Sequence, residues 1–579
     1  MQKLPKGYLF SSLALLALLI GSFSANLALA KGHVSTSAQA VPPPSAKLGH
    51  GHPVSMHVVN MANVPKVTSQ SSASPHPKLL PYHNGMSPSV YAQRKAAAAH
   101  NKNAPVAPYV YPNPTASSTY TPTTQIKFQG MADSPSICPP GGCQPPDQAL
   151  AASPNWVFQG VNTSFALYSI SGALQAGWPK TAVNFFGIPN PGACSSSGPF
   201  VSDPRAFYDI NDGRFFATIL EVEGSVINSC PLASRYWIAV SQTPNPNGLW
   251  NIYGFDMTLG TTNVADYTQI GYDRQAFYFS ANMFDSATFN VFQYAEVQAA
   301  NKATMEAGGA VTPIHATNFT ANGGLVDTVQ PVMTDAHFYS GPNAEFLINS
   351  FDFNFGGGGC SSSCSGVVVW AFNFAAASIT GLIIPTTSYS LAPLANQPGC
   401  STGCIETIDP RISGTPVYRN GLISFALETA AMNSTRIVPS IFWGQVSPQL
   451  NDSAQITGGS VFQSGYYVHQ NDAATSFGAL MPDNDGDLFM VFELMGSSIN
   501  PEVVYTSRRV TFTLGLFHDG GLILRKGDAP TSNTRWGDYE AASFDGYSTD
   551  KVWFSGQYSA SNGDWSTFIG KDQYNTSSN

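Results

Sequence analysis

Residues 206–222 read AFYDINDGRFFATILEV, and this stretch decides the fold. A short apolar strand is followed by a turn rich in Asn, Asp and Gly and then by a longer apolar strand, which is the pattern of a β-hairpin. The same unit recurs at residues 149–162, 270–284, 333–351, 415–429, 479–494 and 542–558. Hairpins repeated along the chain, each followed by one or two further strands, predict the four-stranded blades of a β-propeller.

The sequence also indicates how the ring closes. The last unit lacks a fourth strand after Trp536, and the strand QIKFQGM at 125–131 stands alone before the first unit. We therefore predict an all-β fold with seven four-stranded blades, in which the N-terminal strand completes the last blade and leaves no open sheet edge. A two-sheet sandwich is the alternative, and it explains seven comparable hairpins less well.

The composition is typical of an extracellular all-β chain. Only 11% of the 579 residues are charged, against roughly 25% in a typical soluble domain. With 52 Gly and 42 Pro, the chain is neither a coiled coil nor a helical solenoid. Residues 126–579 carry 17 basic and all 35 acidic residues. This balance excludes a nucleic-acid partner from our prediction, because a phosphate backbone needs a positive surface.

The N-terminal part has a different texture. Residues 1–30 have the charged start, apolar core and Ala28-Leu29-Ala30 site of a signal peptide, which predicts export and no transmembrane segment after cleavage. Residues 31–123 are rich in Pro, Ser, Ala and His and predict a disordered basic tail, with one short helix at 87–100. Contact of this tail with an anionic cell wall is one interpretation, and a solvated spacer is the simpler one. Residues 124–579 are assigned to the propeller.

The eight cysteines predict four disulfides, because an even number in an exported chain is typical of disulfide pairing. Compact spacing also fits a zinc site, but the intervening Pro, Gly, Ser and Thr residues and an oxidising compartment favour disulfides. The predicted pairs are Cys138–Cys143, Cys194–Cys230, Cys360–Cys364 and Cys400–Cys404.

An Asp precedes the inner strand of every predicted unit. Because the first strand of each blade lines the central channel, we expect these carboxylates near one mouth of it. They would repel one another unless they are solvated or neutralised, and Ca²⁺ is the candidate cofactor. The alternative is that each Asp caps a turn through its own backbone. The candidate metal ligands are Asp147, Asp203, Asp266, Asp327, Asp409, Asp472 and Asp538.

Three Arg residues accompany this row of Asp. Arg205 and Arg411 each follow an Asp-Pro pair, and Arg535 lies in RWGDY at 535–539. Arg groups on a propeller face resemble sialidases, in which three Arg hold a carboxylate while Tyr, Glu and Asp carry the glycosidic chemistry. The chain lacks the Arg-Ile-Pro motif and a clean Asp-box of that family, and ion pairing of Arg to neighbouring Asp is the alternative. The candidate catalytic residues are Asp203, Asp266, Asp409, Asp538, Arg205, Arg411 and Arg535.

The propeller region as a whole resembles secreted bacterial propeller proteins without assigned activity. The resemblance is carried by residues 203–216, 237–255, 266–284 and 535–545. It implies the fold and says little about activity, since one fold hosts many functions. We therefore expect a secreted or cell-surface propeller that binds an extracellular glycan or protein without catalysis. The alternatives are a propeller-type glycoside hydrolase or lyase that uses the axial Asp and Arg residues, and a passive structural head.

Overall fold

The computed structural model describes one compact unit that begins at Pro42. The predicted signal peptide at 1–30 lies outside the described residues, and so do residues 31–41 and 68–86 of the predicted tail. Among the described residues, no helix is long and apolar enough to cross a membrane. The described residues are 42–67 and 87–574, except 135, 139–142, 193, 195–197, 226, 336, 338, 353–359, 361 and 546–549.

Seven antiparallel sheets form the blades within this described part of the chain, as the repeated hairpins predict. Ahead of the blades come β1 (Ser45–His50), β2 (Met56–Asn60), α1 (Pro88–Ala98) and β3 (Ile126–Ala132). From the inner strand outward, blade 1 is β4 (Ala149–Ala152), β5 (Trp156–Val161), β6 (Ser164–Ser169) and β7 (Lys180–Thr181), followed by α2 (Ala182–Phe186). Blade 2 is β8 (Val201–Asp209), β9 (Arg214–Glu223), β10 (Ala233–Ser241) and β11 (Leu249–Asp256). Blade 3 is β12 (Asn263–Tyr272), β13 (Ala276–Asp285), β14 (Phe292–Asn301) and β15 (Ile314–Ala321), with α3 (Lys302–Glu306) before β15 and β16 (Gly324–Leu325) after it.

The remaining blades follow the same order along the chain. Blade 4 is β17 (Gln330–Pro331), β18 (Glu345–Ser350), β19 (Cys364–Asn373) and β20 (Ser378–Tyr389), followed by the separate hairpin of β21 (Ala395–Gln397) and β22 (Cys400–Ile405); blade 5 is β23 (Val417–Arg419), β24 (Leu422–Met432), β25 (Ile437–Leu450) and β26 (Ile456–Tyr467); blade 6 is β27 (Ala474–Pro482), β28 (Leu488–Gly496), β29 (Ile499–Arg508) and β30 (Leu522–Arg525); blade 7 is β31 (Ala541–Phe544), β32 (Lys551–Ser559), β33 (Trp565–Gln573) and β3.

The closing strand confirms the predicted ring closure. β3 pairs antiparallel with β33, and Ile126 lies opposite Lys571 in the register. A strand from before blade 1 and the last strands of the ring therefore share one sheet, and β3 covers the outer edge of β33.

Aromatic side chains from neighbouring blades stack between the sheets. The Phe207 ring of blade 2 lies 4.3 Å from the Tyr272 ring of blade 3 and 4.8 Å from Phe216 of its own blade, with nearly parallel planes. Burial of a side chain of this size stabilises the fold by about 1.5–3 kcal/mol. The apolar runs in the hairpin sequences therefore hold the blades to one another as well as forming each blade.

The four predicted disulfides are all present, joining Cys138 to Cys143, Cys194 to Cys230, Cys360 to Cys364 and Cys400 to Cys404. No cysteine is left free. The pairs fit an extracellular protein, since disulfides persist in oxidising compartments.

The prediction of disorder was wrong for residues 42–67 and 87–123. β1 pairs with β15 at the outer edge of blade 3, and β2 pairs with β11 at the outer edge of blade 2, so both blades gain a fifth strand. Composition could not reveal this pairing, because the edges that accept these strands belong to blades far along the sequence.

The rest of the described tail also contacts the ring. The main-chain N–H of Val67 donates to the Pro179 carbonyl in blade 1. In the same way Ala107 donates to Met432 in blade 5, and Thr115 donates to Gly521 in blade 6. The predicted short helix is confirmed as α1, with Pro in its first turn.

Candidate functional site

Residues with a left-handed backbone conformation lie near the start of several inner strands. Asp203, Tyr267 and Phe477 have φ values of 56°, 53° and 60°, and each lies in a β-bulge of its inner strand. Non-glycine residues rarely adopt this conformation, which persists only where neighbouring groups hold it. The Asn162 side chain of blade 1 accepts the Asp203 N–H at 2.7 Å, and Glu428 of blade 5 accepts the Phe477 N–H. The preceding blade thus holds the bulge of the next.

Two of the predicted Asp residues join neighbouring blades. Asp147 Oδ1 accepts the backbone N–H of Asp538 at 2.9 Å, where blade 7 meets blade 1. Asp203 Oδ2 accepts the N–H of Thr268 at 3.2 Å, where blade 2 meets blade 3. Backbone capping, the predicted alternative to metal binding, therefore describes both, although each caps the backbone of another blade rather than its own.

Two of the three predicted Arg residues form ion pairs with both oxygens of an Asp. Arg411 donates from Nε and Nη2 to Asp409 at 2.7 and 2.8 Å, and both side chains are fully buried. Arg535 donates from Nη1 and Nη2 to Asp538 at 2.5 Å each. Charge-assisted pairs of this geometry are among the stronger hydrogen bonds in proteins, so these four groups already satisfy one another.

Aromatic rings complete this region. The Arg205 guanidinium lies 3.2 Å from the centroid of the Tyr539 ring, and its Nε donates to the Thr268 carbonyl at 3.1 Å. Arg411 lies 4.5 Å from the centroid of the Tyr267 ring. A cation over a ring face is attracted by its quadrupole. We call the following set the axial network: Asp147, Asp203, Asp266, Asp327, Asp409, Asp538, Arg205, Arg411, Arg535, Tyr267 and Tyr539.

Burial shifts the carboxyl groups of the axial network toward the protonated form. Burial, together with the charges of Asp266 and Asp538, raises the pKa of Asp203 to about 7, against the opposing effect of Arg205. Burial and Asp409 raise the pKa of Asp327 to about 7 in the same way. At neutral pH part of this network is therefore uncharged, which reduces the repulsion that the sequence analysis expected.

Asp472 lies apart from the axial network. In blade 6 the bulge at the start of the inner strand falls at Ser476 to Ala479, after Asp472 in the chain. The Asp472 carboxylate accepts from Asn396 Nδ2 at 3.1 Å and from the Ser497 N–H at 3.0 Å. Burial raises its pKa, but these hydrogen bonds outweigh that effect and hold the pKa below the usual value. The structure thus brings together six of the seven predicted Asp residues.

A small cavity lies among the inner strands. Its volume of about 20 Å³ accommodates about one water molecule, and its lining includes Ala149, Ala206 and Ala479 from three blades. Between blades 4 and 5 the Met333 N–H donates to the Pro416 carbonyl at 2.9 Å. The inner strand of blade 4 is the two-residue β17, which ends before the predicted start at 333.

The connection from blade 4 to blade 5 covers the mouth at which the axial network lies. Its β21–β22 hairpin is closed by the Cys400–Cys404 disulfide. Ile405 and Ile408 are fully buried in a cluster that contains Phe477 and Trp536. The Glu406 N–H donates to the Thr534 carbonyl at 2.8 Å. This connection therefore covers most of the axial network, while Asp266 and Arg535 remain partly exposed.

Helix α1 lies on the outer side of this connection. Lys95 Nζ donates to Glu406 Oε1 at 2.8 Å, to Thr407 Oγ1 at 2.9 Å and to the Ile408 carbonyl at 2.8 Å. The Tyr91 hydroxyl donates to Glu406 Oε1 at 2.9 Å. Tyr91 and Lys95 are both buried although they belong to the predicted tail.

A cleft of about 550 Å³ opens between α1, the β21–β22 hairpin and the start of β25. Its lining is mixed, with apolar side chains such as Leu394 and Ile437 and polar ones that include Asn396, Thr402, Asp472 and the exposed Arg436. Tyr91 provides an aromatic wall. We call this cavity the α1 cleft.

Sequence reasoning missed the α1 cleft, and only parts of it carried a signal. The Cys400–Cys404 disulfide and the helix at 87–100 were both predicted, but nothing in the sequence indicated that Lys95 contacts Glu406. These residues are more than 300 positions apart, and the helix was assigned to a disordered segment. Asp472 was predicted as a metal ligand at the axis, and the structure places it in the α1 cleft instead.

One carboxylate group among the described residues has metal-like spacing, and it is not the predicted one. Asp209, Asp212 and Glu306 lie close enough to share an ion. Lys302 forms ion pairs with both Asp residues, at 2.7 Å for Asp212. A lysine ammonium thus neutralises these carboxylates. Calcium binding at the seven predicted Asp residues stays a prediction.

Comparison with known proteins gives no family. No family profile matches the chain, and no curated protein matches it. Among solved structures, an ulvan lyase is 12% identical, with 80% of this chain and 96% of that chain covered and a TM-score of 0.36. The sialidase of Trypanosoma rangeli is 9% identical, with coverage of 73% and 57% and a TM-score of 0.32.

A third solved structure, the exo-β-1,3-galactanase of Clostridium thermocellum, is 11% identical, with coverage of 68% and 78% and a TM-score of 0.28. These three structures are of glycan-active proteins. Identities and scores of this size carry no argument about the activity of this chain.

Proposed function

We propose that the protein is a secreted or cell-surface binding module for an extracellular glycan, and that the α1 cleft is its binding site. The observation that carries the proposal is the cleft itself. Its volume of about 550 Å³ falls within the roughly 300–1,000 Å³ of typical ligand sites. Its amide, hydroxyl and carboxylate groups beside an aromatic ring match the hydroxyl groups and apolar faces of sugars.

The state of the axial network favours binding over catalysis. A catalytic group must come within hydrogen-bond distance of the substrate. Asp409 and Arg411 are fully buried and satisfy each other, and the cavity among the inner strands has space for about one water. A substrate would therefore require the blade 4–5 connection to open.

A glycan array with the purified protein tests this proposal. We expect saturable binding of at least one glycan class, weakened about tenfold when Asn396→Ala or Thr402→Val removes one hydrogen-bonding group. Asp528→Asn is the matched control, because Asp528 is exposed and pairs with Arg525 away from the cleft. Absence of glycan binding, or equal loss in the control, would contradict the proposal. Selective capture of a protein ligand at the cleft would assign the site to the other predicted ligand class.

A glycoside hydrolase or lyase is the second candidate, and the pKa of Asp203 favours it. A carboxyl group with a pKa near 7 beside an Arg is the kind of environment in which general acids occur. The test is a panel of chromogenic glycosides and uronate polymers. Turnover that disappears in Asp203→Asn and Asp538→Asn would support the enzyme, and no turnover across the panel would count against it.

A further inference from the structure

The site that holds the Lys95 ammonium provides all the hydrogen-bond acceptors that a primary ammonium group needs. A primary ammonium has three N–H donors and no acceptor. Around Lys95 Nζ the chain places one carboxylate, one hydroxyl and one carbonyl oxygen, from Glu406, Thr407 and Ile408, all at 2.8–2.9 Å. The charge is matched by Glu406, and the side chain of Lys95 is buried.

The pocket belongs to the propeller rather than to α1. Glu406 is positioned by its backbone bond to Thr534, and Thr407 Oγ1 donates its own proton to the Pro393 carbonyl at 2.7 Å. Since that proton is committed, the hydroxyl oxygen faces Lys95 as an acceptor. The Thr407 hydroxyl and the Ile408 carbonyl are therefore supplied by the propeller, whereas Glu406 Oε1 accepts both from Tyr91 of α1 and from the Thr407 N–H at 3.0 Å.

Helix α1 is held at one face and uncapped at its N-terminus. Of its eleven residues, the buried ones are Tyr91, Lys95 and Ala98. The Ser87 side chain makes no cap hydrogen bond, and no acidic residue lies in the first turn. Isolated helices of this length are marginal in water, so α1 depends on the contacts of Tyr91 and Lys95 with the propeller.

We propose that this pocket is a ligand site for the free amino group of an amino-sugar glycan, and that Lys95 occupies it as an internal competitor. The inference rests on the proposed function, since the α1 cleft adjoins the pocket. An amino group in the pocket leaves the hydroxyl groups of the same sugar and its neighbours within the cleft, beside Asn396, Thr402 and Asp472. Displacement of the Lys95 side chain from the pocket would then accompany ligand binding.

The experiment compares two ligands that differ in the amino group. Glucosamine oligomers and the matching N-acetylglucosamine oligomers are titrated into the wild-type protein and Lys95→Ala. We expect Lys95→Ala to bind the glucosamine oligomer at least about tenfold more tightly than the acetylated one, because a charge-assisted hydrogen-bond set is lost on acetylation. We also expect it to bind more tightly than the wild type, in which Lys95 competes. Glu406→Gln in the Lys95→Ala background should remove the preference.

A second measurement keeps the inference testable if Lys95→Ala is folded but less stable than the wild type. Methylammonium should raise the melting temperature of Lys95→Ala, whereas tetramethylammonium, which has the same charge but no N–H donor, should not. Equal effects of the two cations, or equal binding of the two oligomers, would overturn the inference. If other glycans bind the cleft with no preference for free amines, the inference fails and the proposed function stands. If no glycan binds at all, the proposed function fails with it.

Discussion

The axial network and the α1 cleft lie on two sides of the same blade 4–5 connection, and they differ in how their polar groups are used. In the axial network, charged groups such as Arg411 and Asp409 are buried and satisfy each other. In the α1 cleft, polar groups such as Arg436 and Thr402 face an open cavity. A concentration of charged residues at a propeller axis therefore does not by itself identify a binding site. The same residue types can join blades when a loop excludes water.

The largest expected effect comes from breaking an axial ion pair. Arg411→Met leaves Asp409 buried without its bidentate partner, beside the carboxyl groups of Asp327 and Asp352. We expect a loss of about 3–5 kcal/mol in the free energy of unfolding, measured by urea denaturation. Arg436→Met in the cleft is the control, with an expected change within about 0.5 kcal/mol. Similar losses in both variants would show that the two regions do not differ as described.

The second-largest expected difference between the axial network and the α1 cleft is in the pH dependence of stability. The pKa of Asp203 is raised from 3.8 to about 7 in the folded state. Between these two pH values the folded protein keeps a proton on Asp203 that the unfolded chain has released. Its contribution is fully present below pH 4 and is lost as the pH rises through 7. We expect the melting temperature to fall between pH 5 and pH 8, and to fall less in Asp203→Asn. A melting temperature that rises over this range would contradict the assignment.

The Cys400–Cys404 disulfide tests whether the hairpin supports the cleft. Removing both cysteines as Cys400→Ser and Cys404→Ser frees a small loop, for which we expect a loss of at most about 2 kcal/mol and weaker glycan binding. The control is removal of the Cys194–Cys230 bond, which lies outside the cleft lining. That control should lower stability and leave glycan affinity unchanged. Equal losses of affinity would show that the hairpin has no special role.

The smallest change in stability is expected inside the cleft. The folded-state pKa of Asp472 is lowered, so its contribution is present above the unfolded value near 4 and is lost as the pH falls below it. Asp472→Asn should change the free energy of unfolding by less than about 1 kcal/mol while weakening glycan binding. Thermal unfolding and titration of the same samples measure both. A large stability loss without an effect on binding would assign Asp472 a structural role only.

The fold could be predicted from the sequence because its signal is local. Hairpins such as 206–222 are recognisable from their strand–turn–strand pattern. The unpaired strand at 125–131 indicates how the ring closes. The site could not be predicted in the same way. Lys95 meets Glu406 only after the ring has formed, and the strands of the tail pair with edges that exist only in the folded blades. The axial Asp residues were found by their regular spacing, but burial by the blade 4–5 connection decides their role.

The pairing of β3 with β33 also constrains the order of events in the life of the chain. Ile126 is synthesised before any of the blades and its partner Lys571 only within blade 7, so the ring cannot close until all seven blades have emerged. Until then, blade 7 lacks its outer strand and the earlier blades remain an open arc with an exposed sheet edge, which is prone to aggregation. A chain cut short anywhere before blade 7 is therefore expected to fail as a whole rather than to yield a smaller propeller.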